Sequence, residues 1–171
     1  MATYIEIAKI EVGLLGASTI VFSSIPSTYT DMQLSLSLKT NRTNVVDAVG
    51  FYFNTDTTSG NYSIKNLNST GSAVASSSPP YNDEYMFVAG NGTNLNTFGN
   101  SQVYISNYAG NTAKGVSIDS VGENNGTTAY ANIASYTWSG TSAINQITFF
   151  PISGTGFLQY STAYLYGIKN S

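Results

Sequence analysis

The sequence predicts an all-β fold: one antiparallel β-sandwich domain, jelly-roll-like, with about ten to eleven strands across residues 1–171. Three observations predict it. Apolar residues recur at every second position in many short segments, which is the periodicity of a strand with one buried face. Segments rich in Gly, Asn, Ser and Pro separate these runs, as turns do. No stretch of twelve or more residues has the charged, amphipathic pattern of a long helix.

The clearest strand is the segment DMQLSLSLKT at residues 31–40. Its apolar side chains, Met32, Leu34, Leu36 and Leu38, alternate with polar ones, so one face is expected to be buried and the other solvated. The segments KGVSIDSV and SQVYISNY alternate in the same way. In chain order, the predicted strands are residues 4–12, 18–23, 31–40, 46–54, 62–67, 84–89, 101–107, 115–121, 129–136, 144–150 and 161–168.

The segments between these strands are typical of turns. NTDTTSGN and GNGTNLNTFGN are examples, and their Gly and Asn residues tolerate positive φ. The longest gap, STGSAVASSSPPYND at residues 69–83, lacks alternation and is predicted to be one long loop or to hold a single helical turn. No fixed-period repeat and no linker divides the chain, so a single domain is expected.

The composition is poor in charge and rich in neutral polar residues. Charged residues make up 9% of the chain, against about 25% in ordinary globular domains. Ser, Thr and Asn together supply 61 of the 171 residues, while a hydrophobic content of 42% argues against disorder. Such neutral polar surfaces are typical of β-rich extracellular and virion-surface proteins.

The absence of cysteine and histidine from the sequence excludes several kinds of site. Disulfide bonds and thiolate metal centres are impossible without cysteine. Without histidine the chain also lacks the commonest general base and the commonest transition-metal ligand. The sequence therefore predicts that the protein is not an enzyme.

The charge distribution bears on partners. Six Lys and Arg residues are scattered singly among nine acids, for a net charge of −3, so no basic surface for nucleic acid is expected.

No apolar run approaches the roughly 18 residues that span a bilayer. Glu6 and Glu11 precede the run VGLLGASTIVF where a signal peptide would carry positive charge. We therefore expect a soluble protein with no membrane partner, made without a cleaved leader.

Two groups of oxygen-bearing side chains are candidates for chemical sites. Asp119 and Glu123 flank a predicted strand end and are the best candidates for a glycosidase-like acid pair, but solvated strand-end charges explain them better. Asn54, Asp56 and Thr57 offer ligands for calcium, yet the loop lacks the spacing and closing Glu of an EF-hand, which favours a β-turn. The sequence predicts no catalytic residue, no metal site and no cofactor.

Three segments resemble a known family. They are IVFSSIPSTYTDMQLSLSL (20–38), FGNSQVYISNYAG with KGVSIDSVGENNGTTAY (within 98–130), and QYSTAYLYGIKNS (159–171). The chain resembles small structural proteins of tailed bacteriophages over most of its length, and the closing YLYGIKN is the most specific part. The resemblance implies a β-sandwich virion component, either a capsid decoration (cement) protein or a tail-associated protein, and it brings no catalytic residues with it.

The function expected from this resemblance is that of a capsid decoration protein, which binds and stabilises the assembled phage head. Its partners would be the major capsid protein and two further copies of itself, because a homotrimer matches the local three-fold positions of an icosahedral shell. It would be made in the host cytoplasm without a signal peptide and would lie on the capsid surface. The candidate capsid contacts are Ala2, Thr3, Tyr4, Ile5, Glu6, Pro79, Pro80 and Tyr81.

An alternative expectation is a host-glycan-binding module at a tail fibre or tail tip. Carbohydrate-binding sandwiches stack sugars on exposed aromatic rings, and the candidate stacking residue is Trp138, the single tryptophan of the chain. The competing interpretation is that each aromatic residue in these strands packs against a partly buried face of the sheet and binds no ligand.

Overall fold

The computed structural model describes residues 3–71, 73–81 and 86–169. These residues form twelve strands, one 3-10 turn (Ser59–Asn61) and no α-helix. The strands are β1 (Thr3–Glu11), β2 (Ile20–Phe22), β3 (Asp31–Leu38), β4 (Val46–Phe53), β5 (Tyr62–Ser69), β6 (Val74–Ser77), β7 (Met86–Ala89), β8 (Gly99–Ile105), β9 (Lys114–Gly122), β10 (Tyr130–Trp138), β11 (Ile147–Pro151) and β12 (Thr162–Lys169).

The strands build a β-sandwich of two antiparallel sheets. The larger sheet has eight strands in the order β1-β12-β3-β8-β9-β10-β5-β6, and the smaller has four in the order β2-β11-β4-β7. Four of the pairs are nested along the chain: β1 with β12, β2 with β11, β3 with β8 and β4 with β7. The remaining strands, β5, β6, β9 and β10, extend the larger sheet beyond β8.

The core lies between the two sheets and is filled by alternate residues of each strand. In β9 the pattern is strict: Val116, Ile118 and Ser120 are buried, and the residues between them are exposed. Aromatic rings fill the centre, where Phe51 of the smaller sheet lies 4.7 Å from Tyr136 of the larger sheet, centroid to centroid. Each fully buried side chain of this size stabilises the fold by roughly 1.5–3 kcal/mol.

A buried carboxylate joins three parts of the sandwich, and we call it the Asp47 cluster. Asp47 of β4 is fully buried and accepts hydrogen bonds from the Thr40 hydroxyl at 2.7 Å and from the backbone N–H groups of Ser153 and Gly154 at 3.3 and 3.0 Å. The Arg42 guanidinium lies 3.6 Å away. A Cβ on Gly154 would come within 2.9 Å of the carboxylate, so the close approach of this loop requires glycine.

The all-β prediction is confirmed, and a strand lies at each of the eleven predicted places, with ends that differ by a few residues. Residues 84 and 85 of one predicted strand lie outside the described residues, and the rest of it is β7. The prediction of one continuous loop over residues 69–83 is wrong, because Val74–Ser77 pair with β5 as β6. All four residues of β6 are exposed, so burial imposes no alternation on their sequence. The jelly-roll form of the sandwich stays a prediction.

Candidate functional site

The first predicted contact segment lies at an edge of the larger sheet. Its described residues, Thr3 to Glu6, belong to β1, whose only strand partner in the described chain is β12, and Tyr4 and Ile5 are exposed there. A bulge between Glu6 and Ala8 and an ion pair further along β1 protect this edge from uncontrolled strand pairing. Ala2 lies outside the described residues.

The second predicted contact segment follows β6, at the opposite edge of the same sheet. Pro80 is exposed and Pro79 is half-buried. Tyr81 stacks on Tyr62 with ring centroids 4.6 Å apart, and burial raises the pKa of its hydroxyl to about 12. The structure therefore places the two predicted contact segments at opposite edges of the larger sheet.

Trp138 is part of the core, so its prediction as an exposed stacking residue is wrong. Its side chain is 4% exposed and packs against Phe53 with ring centroids 5.6 Å apart. The indole Nε1–H donates a hydrogen bond to the Asp56 carboxylate at 2.8 Å. A sugar has no access to a ring that lies between two sheets.

The Asp56 loop, which the sequence analysis considered for calcium and predicted to be a β-turn, surrounds its carboxylate with hydrogen-bond donors. The carboxylate accepts from Trp138, from the Asn61 amide at 2.8 Å and from the Thr58 backbone N–H at 3.0 Å. These bonds, that of Trp138 foremost, lower the pKa of Asp56 to about 2. Across the described part of the chain, no group of three acids is placed to hold a metal ion.

Asp119 and Glu123, the two acids considered as a glycosidase-like pair, both lie at the surface of the protein. Asp119 lies on the solvent face of β9, and Glu123 accepts a hydrogen bond from the Asn125 backbone N–H at 2.6 Å in the following turn. Both side chains are exposed. A turn-capping role accounts for Glu123.

The solvent face of the larger sheet carries an apolar surface that the sequence analysis missed. We call it the outer patch; its residues are Leu67, Val74, Val121 and Ile133, all exposed. Ile133 is 63% exposed and lies directly opposite Leu67 in the antiparallel pair of β10 and β5. Its neighbour Asn132 is fully buried. At this point in β10 the polar residue therefore faces the core and the apolar residue faces solvent, the opposite of the usual arrangement. That reversal is the sequence signal of the patch.

A second surface, the loop-end cleft, has a volume of about 530 Å³. It lies between the loop after β1, the loop before β8 and the loop before β12. Leu14, Leu15 and Leu95 line it and are exposed, Leu15 to 98%. Tyr160 also lines it, half exposed, with a backbone φ of +70° that is rare for a bulky residue.

Lys39 is the one charged residue that lines the loop-end cleft. It is 5% exposed, and its ammonium donates a hydrogen bond to the Asn94 carbonyl at 2.7 Å. Burial lowers the pKa of this amine. Its backbone is fixed by Ser161 and Leu158, which bond its N–H and carbonyl groups. The sequence analysis did not single out Lys39.

The described residues include no helix of the length and apolarity needed to span a membrane. Comparison of the chain with known proteins finds no matching protein-family model, no matching curated protein and no matching solved structure.

Proposed function

We propose that this chain is a structural virion protein of a tailed bacteriophage, a capsid decoration protein that binds the assembled head and stabilises it. The outer patch is the observation that carries the proposal. Exposed apolar side chains that lie opposite or diagonal to one another on neighbouring strands favour burial against another protein surface. Small polar residues lie beside the patch on the same strands, among them Ser63, Ser117, Ser135 and Thr137, so its apolar side chains stand out from these neighbours.

The strand order supports the narrower proposal of a jelly roll. In a jelly roll the chain forms nested antiparallel pairs, which two packed sheets share. The pairs β1/β12 and β3/β8 in the larger sheet, with β2/β11 and β4/β7 in the smaller, follow that scheme. Viral capsid and lectin domains use this architecture, and a fold by itself does not assign a function.

The proposed assembly is a homotrimer with two kinds of contact. The outer patch serves contact between subunits, and the exposed Tyr4 and Ile5 at the opposite edge remain for the major capsid protein. A trimer fits the local three-fold positions between capsomers. In this proposal the protein lies on the capsid surface and binds the closed shell but not free capsid subunits, which stabilises the shell by mass action.

Ile133→Asp tests the subunit contact. We expect light scattering to give the mass of three chains for the parent protein and of one chain for the variant, because a carboxylate is costly to bury in an apolar contact. Leu95→Asp is the matched control: it places the same charge at an even more exposed apolar residue outside the outer patch and is expected to stay trimeric.

The same proteins test the role on the head. The parent protein is expected to raise the temperature at which empty expanded heads rupture, and Ile133→Asp is expected to reduce that rise. A monomeric parent protein that leaves the rupture temperature unchanged would contradict the decoration function.

We also propose that the protein has no hydrolytic activity. Incubation of the purified protein with polysaccharides and peptidoglycan is expected to release no product above the buffer control. Turnover that disappears in Asp119→Asn or Glu123→Gln would refute this and favour a tail depolymerase.

A further inference from the structure

Two lysines are buried in the sandwich, and they differ in how their ammonium protons are satisfied. Lys114, fully buried, donates to the backbone carbonyl of Gly110 at 2.7 Å, to that of Thr112, and to that of Thr141 at 3.4 Å. An ammonium has three protons, so the carbonyls around Lys114 form a complete set of acceptors.

Lys39 has an incomplete set. The described residues supply one acceptor for its three protons, the Asn94 carbonyl, and no carboxylate within ion-pair distance. A buried ammonium that lacks partners is costly, because burial removes the water that would otherwise bond its protons. Two of its protons therefore have no acceptor among the described residues, and Lys39 lines the loop-end cleft, where water or a bound ligand can supply one.

The residues that line the loop-end cleft indicate which class of ligand could supply these acceptors. Lys39 is its one charged residue, with no acid beside it, so the cleft favours a ligand with a single negative charge. Leu14, Leu95 and Phe98 offer apolar surface next to it. A volume of about 530 Å³ falls within the roughly 300–1,000 Å³ of small-molecule sites.

Two residues that line the cleft have a left-handed backbone conformation. Tyr160 and Asn96 both have positive φ, +70° and +67°. A left-handed conformation is unfavourable for a residue as large as tyrosine and persists where the surrounding structure imposes it.

We propose that the loop-end cleft binds a small monocarboxylic acid with an aliphatic body. The carboxylate accepts hydrogen bonds from the Lys39 ammonium, and the aliphatic body lies on Leu14, Leu95 and Phe98. A charge-assisted hydrogen bond inside such a cleft is about twice as strong as a neutral one, so the acid is preferred to its neutral amide. This site is separate from the outer patch.

The test uses 4-methylpentanoate as the probe and 4-methylpentanamide as its uncharged isostere, each titrated into the purified parent protein by calorimetry or NMR. Saturable binding of the acid is expected, with the amide weaker by about tenfold or more. No saturable binding of the acid, or equal binding of the two probes, would overturn the proposal.

Variants identify the residue and separate this site from the decoration function. Lys39→Met is expected to lose about tenfold or more in affinity for the acid, while Lys114→Met keeps it in spite of a lower melting temperature. If Lys39→Met fails to fold, Leu95→Asp replaces it: its carboxylate repels the acid from the rim of the cleft. Ile133→Asp is expected to bind normally. Unchanged acid binding in a folded Lys39→Met protein, or in Leu95→Asp where that variant replaces it, would refute the proposal.

Discussion

Asp47→Ala is expected to destabilise the protein by several kcal/mol, because each buried donor that loses its acceptor costs about 1–3 kcal/mol. The substitution leaves the Thr40 hydroxyl and the backbone N–H groups of Ser153 and Gly154 without their acceptor. It also removes the counter-charge of Arg42. Chemical denaturation with urea, followed by fluorescence, measures the change in the free energy of unfolding.

Asp119→Ala is the control for this experiment, since its carboxylate is exposed on β9. A surface substitution of this kind is expected to change stability by no more than about 0.5 kcal/mol. Equal stabilities for the Asp47→Ala and Asp119→Ala proteins would show that the Asp47 cluster does not hold the loops together.

Trp138→Ala is expected to cost about 3–5 kcal/mol, the range for removing a large aromatic side chain from a core. The ring packs against Phe53, and its Nε1–H is a hydrogen-bond donor to Asp56. Trp138→Phe keeps most of the apolar volume and loses the donor, so a smaller loss is expected. The free energy of unfolding of the three proteins, measured in parallel, separates the packing contribution from the hydrogen bond.

Acid denaturation provides a second measurement on the same hydrogen bond. The pKa of Asp56 is lowered from 3.8 to about 2 by its donors, so its stabilising contribution is complete above the higher value and is lost as pH falls through the lower. Trp138→Phe removes the main donor and is expected to flatten the loss of stability between these two values. An unchanged acid limb in this variant would contradict the assignment.

The alternation of residues in the sequence is enough to predict that Trp138 is buried, provided that the strand is given its full length. The predicted strand ended at residue 136, whereas β10 continues to Trp138. Extended by two residues, the same alternation places Trp138 on the buried face with Ala134 and Tyr136. Local periodicity therefore predicts the strands that have a buried face, misses the fully exposed β6, and places strand ends only to within a few residues.

The candidate sites depend on contacts that local patterns do not encode. Lys39 meets Asn94 across 55 positions, and Asp47 meets Gly154 across 107. The residues around these contacts are ordinary loop residues in sequence, and only the folded sandwich brings them together. The outer patch is intermediate, because the reversed order of Asn132 and Ile133 is visible in the sequence and its exposure is not.

The nested strand pairs have a consequence for how fast the chain folds. β1 pairs with β12 from Thr3↔Lys169 onward, so this edge of the sheet joins residues that are distant along the chain. High contact order slows folding to milliseconds or longer, because the entropy of closing a long loop is lost before the contacts form. The hairpins β8–β9, β9–β10 and β5–β6 are local and are expected to form first. During synthesis β1 therefore has no partner strand until β12 has been made. In that interval its bulge and its charged residues hinder pairing with strands of other chains.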